Sequence, residues 1–194
     1  KNNLFSLRIG DRMKIAVFAS GNGSNFQTLA EQFPKEVKFV FSDHHDAYVL
    51  ERADKLGVAN ASLELKEFTS KVDYEKALVE ILEAQEIDLI LLAGYMKIIG
   101  STMLAKYKGK IINVHPSFLP DFAGSPHAIE ESHEAKYGLG ITIHYVDEGV
   151  DTGEIIAQMP VAYHESLEVY EERVHEAEHK LYPEVVRQII LHQQ

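Results

Sequence analysis

Residues 14–25, with the sequence KIAVFASGNGSN, decide the fold. The first six of them, residues 14–19, are mostly apolar and lack polar alternation, which is typical of a strand buried on both faces of a parallel sheet. A loop of small residues, 20–25, follows and opens a segment with helical spacing at residues 24–33. Backbone N–H groups in such a loop and at a helix N-terminus receive anions. The stretch therefore predicts a strand, a phosphate-binding loop and a helix.

The same alternation of strand and helix continues along the chain. Further apolar runs of strand length stand at residues 38–42, 88–94 and 110–115. Segments with apolar residues at three- and four-residue spacing separate them, at residues 47–56, 73–85 and 101–107. This order predicts an α/β fold with a mainly parallel twisted sheet and helices on both faces, similar to a Rossmann fold.

The pattern changes in the C-terminal half. A helix is predicted at residues 128–136, and two adjacent β runs at residues 140–146 and 154–159 predict an antiparallel hairpin added to the sheet. The last helix begins near Ser166, and Pro183 is expected to end or kink it.

Composition and charge limit the class of protein. The chain has 194 residues, no cysteine and a formal net charge of −11, so disulfide and thiolate chemistry are excluded and nucleic acid is not an expected partner. No apolar run approaches the roughly 20 residues that a membrane span needs, so we predict no membrane partner and a cytoplasmic location. Because Met13 precedes the first convincing strand, we expect residues 1–12 to be an N-terminal extension or a cloning remnant, and residues 13–194 to form one domain.

The small-residue loop fits a monophosphate better than a larger nucleotide. Phe26 stands where a dinucleotide-binding loop has its third glycine, and the loop lacks the lysine of an ATP-binding P-loop. A tight turn with a Ser or Asn cap and no ligand is the structural alternative.

Two polar side chains lie at the end of a predicted strand. Alternation places Asn113 and His115 on one side of the strand, and ligands bind at this edge of open α/β sheets. An amide and an imidazole together can stabilise an oxyanion and move a proton. Asp151, in the acidic loop 147–153, is expected to raise the pKa of His115 if the two meet. The alternative for His115 is a hydrogen-bonded structural role, and the alternative for loop 147–153 is a solvated turn.

A metal site is not predicted. His175 and His179 fit the HExxH pattern of zinc helices literally, but Glu184 and His192 are the remaining candidate ligands and stand at unpromising spacings. Ala177 between them belongs to a stripe that is expected to face the core.

Six stretches resemble the phosphoribosylglycinamide formyltransferase family. The resemblance extends from about Met13 to Ile190, and its stretches, in the family's order, read KIAVFASGNGSNFQTL, SDHHDAYVLERADKLGV, DLILLAGYMKIIG, INVHPSFLP, GITIHYVDEGVDTGEII and HEAEHKLYP. The resemblance implies formyl transfer from 10-formyltetrahydrofolate, a consumed co-substrate, to the amine of 5′-phosphoribosylglycinamide in purine biosynthesis. It also implies a monomer or homodimer that acts on these small molecules without a metal.

The resemblance further implies roles for individual residues. The catalytic residues would be Asn113, His115 and Asp151, with His144 in a supporting position. The acceptor's phosphate and ribose would be bound by Gly21, Asn22, Gly23, Ser24, Asn25 and Glu178. The folate would be bound by Lys71, Met96, Lys97, Ile98, Ile99, Val146, Asp147, Glu148, Gly149 and Val150.

One loop departs from the family's pattern. Ala123 stands where the family has proline, and Pro126 stands where it has histidine, so His127 is a candidate replacement from the next position. Two other functions stay open from the sequence. One is hydrolysis of formyltetrahydrofolate, with water as the acceptor, although only 12 residues precede Met13 where that family has a regulatory domain. The other is a noncatalytic protein that binds a nucleotide or folate.

Overall fold

The computed structural model describes residues 11–193. The strands are β1 (Ile15–Phe18), β2 (Val37–Ser42), β3 (Ala59–Ser62), β4 (Leu89–Leu92), β5 (Ile111–His115), β6 (Gly140–Tyr145) and β7 (Ile155–Pro160). The helices are α1 (Ser24–Gln32), α2 (Tyr48–Leu56), α3 (Lys71–Ala84), α4 (Ser101–Tyr107), α5 (Ala128–Ala135) and α6 (Leu167–Leu191). Residues 1–10 of the predicted extension, and Gln194, lie outside the described residues.

The strands form one mixed sheet in the order β3-β2-β1-β4-β5-β6-β7. The pairs from β3 to β5 are parallel, whereas β6 pairs antiparallel with β5 and with β7. The predicted α/β fold with an antiparallel addition is therefore confirmed. No helix within residues 11–193 is long and apolar enough to cross a lipid bilayer.

Two buried clusters cover the two faces of the sheet. Ile15 and Val17 of β1 pack in one cluster with Phe26 of α1 and side chains of α2 and α6. Ala16 and Phe18, which alternate with them, pack in the other cluster with side chains of α3 and α4. Because both faces of β1 are buried, its sequence has no polar alternation.

Two features differ from the sequence-based expectations. Strand β3, with the sequence ANAS, was not predicted because this edge strand is short, half-exposed and without an apolar run. Pro183 was expected to end or kink the last helix, and it does not end it, since α6 continues through it to Leu191. The buried Tyr182 beside it donates a hydrogen bond to the carbonyls of Leu92 and Ile112, so tertiary packing compensates for the one backbone hydrogen bond that proline removes.

A buried carboxylate caps α4. Glu75 of α3 is 4% exposed and accepts hydrogen bonds from the N–H groups of Gly100 (2.7 Å) and Met103 (3.3 Å). In a Glu75→Gln variant one of these N–H groups faces an amide NH₂, so we expect the free energy of unfolding to fall by about 1–3 kcal/mol in urea denaturation. Glu83→Gln, at an exposed ion pair on the same helix, is the control and should cost less than about 1 kcal/mol. Equal urea midpoints for the two variants would contradict the capping role.

Candidate active site

Two adjoining cavities open at the carboxyl ends of the parallel strands. Their volumes are about 470 and 490 Å³, and both are lined by Gly94, Met96, His175 and Glu178. Ligands of open α/β folds bind at this edge of the sheet. The shared wall places two ligands, or two parts of one ligand, next to each other.

The loop between β1 and α1 lines the smaller cavity through residues 20–25. Gly23 is the N-cap of α1 with a φ of 79°, and a Cβ there would collide with the side chain of Val49. Glycine is therefore required at this position by both its backbone and its surroundings. Because Gly23 has no side chain, no N-cap side chain competes for the first N–H groups of α1, which favours an anion at this helix end.

Helix α6 supplies the opposite wall of the smaller cavity. Glu178 is 7% exposed and accepts a hydrogen bond from Asn25 Nδ2 (3.2 Å), while its other oxygen lies 3.1 Å from His175 Nδ1. This contact raises the pKa of His175 above its usual value, against the opposing effect of burial. His179 Nε2 lies 3.2 Å from Ser24 Oγ, and burial lowers the pKa of this histidine.

The catalytic candidates meet at one wall of the larger cavity. His115 Nδ1 lies 3.3 Å and His144 Nε2 lies 3.5 Å from the two oxygens of Asp151. Asn113 Nδ2 is 3.4 Å from His144 Nε2. Both histidine side chains are buried, at 6% and 2% exposure, while all four residues line the cavity. The structure thus brings together the amide and imidazole of β5, the imidazole of β6 and the carboxylate of the loop that follows β6.

Strand register and one left-handed residue build this cluster. The antiparallel pairing of β5 with β6 sets Asn113 opposite His144, so their side chains share a face of the sheet. Val114 between Asn113 and His115 belongs to the core on the other face. Asp151 has a φ of 57°, and a Cβ at Gly153 would collide with the carbonyl of Tyr145. The loop can therefore pass close to β6 and turn Asp151 toward the histidines.

Burial dominates the pKa of His115. Desolvation lowers it, the Asp151 carboxylate and the Phe122 carbonyl raise it, and His144 lowers it, with a net pKa below the usual value. Asp151 thus raises the pKa of His115 as predicted, but desolvation is the larger effect and leaves the net pKa below its usual value. Burial also raises the pKa of Asp151, yet its contacts with His144, His115 and the Gly124 N–H together lower it below the usual value.

A family model described as formyl transferase matches residues 13–186. The chain belongs to the formyl transferase family. Among its relatives, phosphoribosylglycinamide formyltransferase of Bacillus subtilis (strain 168) is 44% identical over 185 residues, which cover 91% of this chain and 94% of the relative.

Solved structures give the same result. Phosphoribosylglycinamide formyltransferase from Streptococcus pneumoniae TIGR4 has a TM-score of 0.86 at 59% identity and covers 91% of this chain and 98% of its own. Glycinamide ribonucleotide transformylase 1 from Geobacillus kaustophilus has a TM-score of 0.88 at 41% identity, with coverages of 93% and 100%. The resemblance inferred from the six sequence stretches is confirmed.

Most of the residues expected at the folate site of this formyl transferase line the larger cavity. They are Met96, Lys97, Ile98, Ile99, Val146, Asp147, Gly149 and Val150. Met96 and Ile98 are 68% and 59% exposed, so the cavity has an accessible apolar wall. Of the other two candidates, Lys71 begins α3 and Glu148 is exposed in the loop after β6, and both stand outside the lining of the two cavities.

The loop that departs from the family's pattern contacts the cluster of catalytic candidates through its backbone. The Phe122 carbonyl lies 3.1 Å from His115 Nε2, and the Gly124 N–H donates to Asp151 Oδ2 (2.7 Å). Pro126 lines the larger cavity, whereas His127 is the exposed N-cap residue of α5, outside the lining of both cavities. The sequence alone does not point to Phe122 or Gly124, because a backbone contact leaves no signature in residue types.

The two histidines of the HEAEH segment have other partners than a metal. His175 is paired with Glu178 and Glu171, and His179 with Ser24. Ala177 between them faces the core, as its stripe predicted. Within residues 11–193, no group of three side chains suited to hold a metal ion occurs.

Proposed function

We propose that the chain transfers the formyl group of 10-formyltetrahydrofolate to the amine of 5′-phosphoribosylglycinamide, a step of purine biosynthesis. The observation that carries this proposal is the shared wall between two cavities. One is lined by residues 20–25, the glycine loop, and the other by Asn113, His115 and Asp151. This arrangement fits an acceptor whose phosphate is bound in the first cavity and whose amine reaches the second. The names of the relatives at 44% and 59% identity support it.

We assign the smaller cavity to the acceptor. Its phosphate is received by backbone N–H groups of the glycine loop and by the start of α1, through Gly21, Asn22, Gly23, Ser24 and Asn25. Glu178 accepts hydrogen bonds from the ribose hydroxyls, because a buried carboxylate at the cavity wall is a strong acceptor.

We assign the larger cavity to the formyl donor. Its exposed apolar side chains, Met96, Ile98 and Val150, fit a flat heteroaromatic ring, and the strand-end backbone beside them can hydrogen-bond the ring's polar edge. We keep Lys71 and Glu148 as proposed folate contacts outside the cavity lining, with Lys71 suited to the carboxylates of a glutamate tail.

The chemistry follows from the groups at the cavity wall. The neutral amine attacks the formyl carbon, and the carbonyl oxygen becomes an oxyanion that accepts hydrogen bonds from Asn113 and His115. A proton leaves the attacking nitrogen, and a proton reaches the departing folate nitrogen through Asp151 and His115, directly or by water. The bond between that nitrogen and the formyl carbon then breaks, giving the formamide and tetrahydrofolate. The lowered pKa of His115 makes its charged form a stronger acid for this last proton transfer.

The test of this function is a comparison of formyl donor consumption with and without the amine. Purified protein should consume 10-formyltetrahydrofolate only when phosphoribosylglycinamide is present, with one formylated product for each donor consumed. Consumption without the amine identifies a hydrolase, and saturable binding without turnover identifies a noncatalytic binder. Either outcome would overturn the proposed transfer.

Glu178 offers a prediction for the acceptor side. We expect Glu178→Gln to raise KM for phosphoribosylglycinamide by about tenfold, because hydrogen bonds to a charged acceptor are stronger than those to an amide. The KM for the formyl donor should change by less than about twofold in the same steady-state assays. Glu176→Gln, at an exposed position of the same helix, is the matched control. An equal rise of both KM values would count against the ribose assignment.

We also propose a cytoplasmic location, as the sequence predicts, and a monomeric or homodimeric state, as the family resemblance implies. Because the chain has a net charge of −11, its copies repel one another at low salt, which favours small assemblies over large ones. Sedimentation equilibrium gives the mass of the particle and tests the oligomeric part of this proposal.

A further inference from the structure

Helix α2 holds two consecutive carbonyl groups of the glycine loop. The N–H of Val49 donates to the Gly21 carbonyl (3.0 Å). Arg52 Nε donates to the Asn22 carbonyl (2.7 Å), and Arg52 Nη2 donates to Asn22 Oδ1 (2.7 Å). The next carbonyl, that of Gly23, accepts from Gln27 in the first turn of α1. The direction of each peptide group in this part of the loop is therefore fixed by a protein donor.

These contacts also fix the direction of the loop's N–H groups. In a planar trans peptide the carbonyl and the N–H of the next residue point in opposite directions. Because the Gly21 and Asn22 carbonyls face α2, the N–H groups of Asn22 and Gly23 face away from it. Both residues line the smaller cavity, and neither N–H donates to an acceptor within residues 11–193. Two adjacent donors are thus available to an anion in that cavity.

Arg52 is itself held in position. Its guanidinium lies over the ring of Tyr48, 4.9 Å from the centroid, and Nη1 is 3.5 Å from Gln27 Oε1. The planar fork of an arginine can donate to both carbonyl oxygens of Asn22 at once, whereas a lysine ammonium lacks this fixed geometry. The side chain is therefore suited to fix the Asn22 peptide and not only to add a positive charge.

We propose that Arg52 is a positioning residue for the acceptor's phosphate, which it serves by fixing the Asn22 carbonyl and thereby aiming the Gly23 N–H into the cavity. The contacts of Arg52 with Asn22 carry the inference. The identity of the anion as the phosphate of phosphoribosylglycinamide rests on the proposed function.

The test compares Arg52→Met, Arg52→Lys and the control Arg187→Met. Arg187 is also an arginine over an aromatic ring, Phe33, with one hydrogen bond to an amide side chain, but it lies on α6 outside the lining of both cavities. We expect Arg52→Met to raise KM for phosphoribosylglycinamide by about tenfold or more, with kcat and the KM for the formyl donor within about twofold of wild type. Arg52→Lys should restore less than half of the lost affinity, since it keeps the charge without the fork.

A second readout isolates the phosphate. Calorimetric titration with inorganic phosphate should give a Kd that rises in parallel with the KM in both Arg52 variants. Glycinamide riboside, which lacks the phosphate, should be used equally well by wild type and Arg52→Met. General damage to the site would lower the efficiency of Arg52→Met with this substrate as well, so equal efficiency points to the phosphate alone. Circular dichroism melting of each variant checks that the fold is intact.

The outcomes separate the inference from the function on which it rests. If the wild type fails to transfer a formyl group but phosphate binding weakens in Arg52→Met, the inference stands and the proposed function fails. If the wild type transfers the group but phosphate affinity is the same in Arg52→Met and Arg187→Met, the inference fails. It also fails if Arg52→Lys equals wild type, since the charge alone then acts, or if the wild type binds no phosphate. If Arg52→Met does not fold, the phosphate affinity of Arg52→Lys relative to wild type decides the inference.

Discussion

Replacing His115 by alanine is expected to lower kcat by about 100-fold or more, the usual contribution of a positioned acid–base group. Two effects combine in this loss. The oxyanion loses a donor beside Asn113, and the proton loses its carrier between the amine and the folate nitrogen. Because His115 is on the wall of the larger cavity, the affinity of the smaller cavity for the acceptor's phosphate should be nearly unchanged.

Single-turnover rates and acceptor titrations together check this prediction. His192→Ala, at the exposed end of α6, is the control and should keep the wild-type rate. A His115→Ala rate within about threefold of wild type would remove His115 from the mechanism. A rate loss with a matching loss of acceptor binding would instead indicate collapse of the site.

Exchange of Asp151 for asparagine should lower kcat and also move the pH dependence. The carboxylate raises the pKa of His115 against the larger opposing effect of burial, so its removal lowers that pKa further. At any given pH a smaller fraction of His115 is then charged. We therefore expect the fall of kcat on the alkaline side to begin at a lower pH than in the wild type, and kcat at its maximum to fall by about 10-fold to 100-fold.

Profiles of kcat between pH 5 and pH 9 measure both effects. Glu154→Gln is the matched control, because it removes an exposed carboxylate three residues from Asp151 and outside the lining of both cavities. Superimposable profiles for wild type and Asp151→Asn would show that Asp151 does not set the charge of His115. A shift to higher pH would contradict the sign derived from the contact at 3.3 Å between the two groups.

The sheet was predictable because its strands are buried on both faces. Apolar runs such as residues 88–94 leave few alternatives to a central strand, and the helical spacing between them required crossovers. Strand β3 lacks that signal, since an edge strand with half-exposed small residues is held by its neighbour and not by its own apolar pattern. The sequence could not decide whether Pro183 ends or kinks the last helix, because a local rule on proline leaves out what the buried helix gains by packing on the sheet.

The candidate site was predictable where alternation along one strand decided it. Asn113 and His115 share a side of β5, as their spacing requires. The meeting of His115 with Asp151 depends on a left-handed backbone at Asp151 and on the close approach of Gly153, which no periodicity reveals. The contacts of Arg52 with Asn22 likewise could not be predicted from the sequence, because an arginine on a helix has many surface partners available.

The strand order has a consequence for the length of the molecules that can react. The glycine loop follows β1, and the amide and imidazole stand on β5, with β4 alone between these strands. Neighbouring strands lie about 4.8 Å apart, so backbone spacing places the two ends of the reaction roughly 10 Å from each other. The hydrogen bonds between the strands therefore set the backbone distance between the two ends. Analogues with one methylene more or fewer between phosphorus and nitrogen should therefore present the amine out of reach of the carbon it must attack.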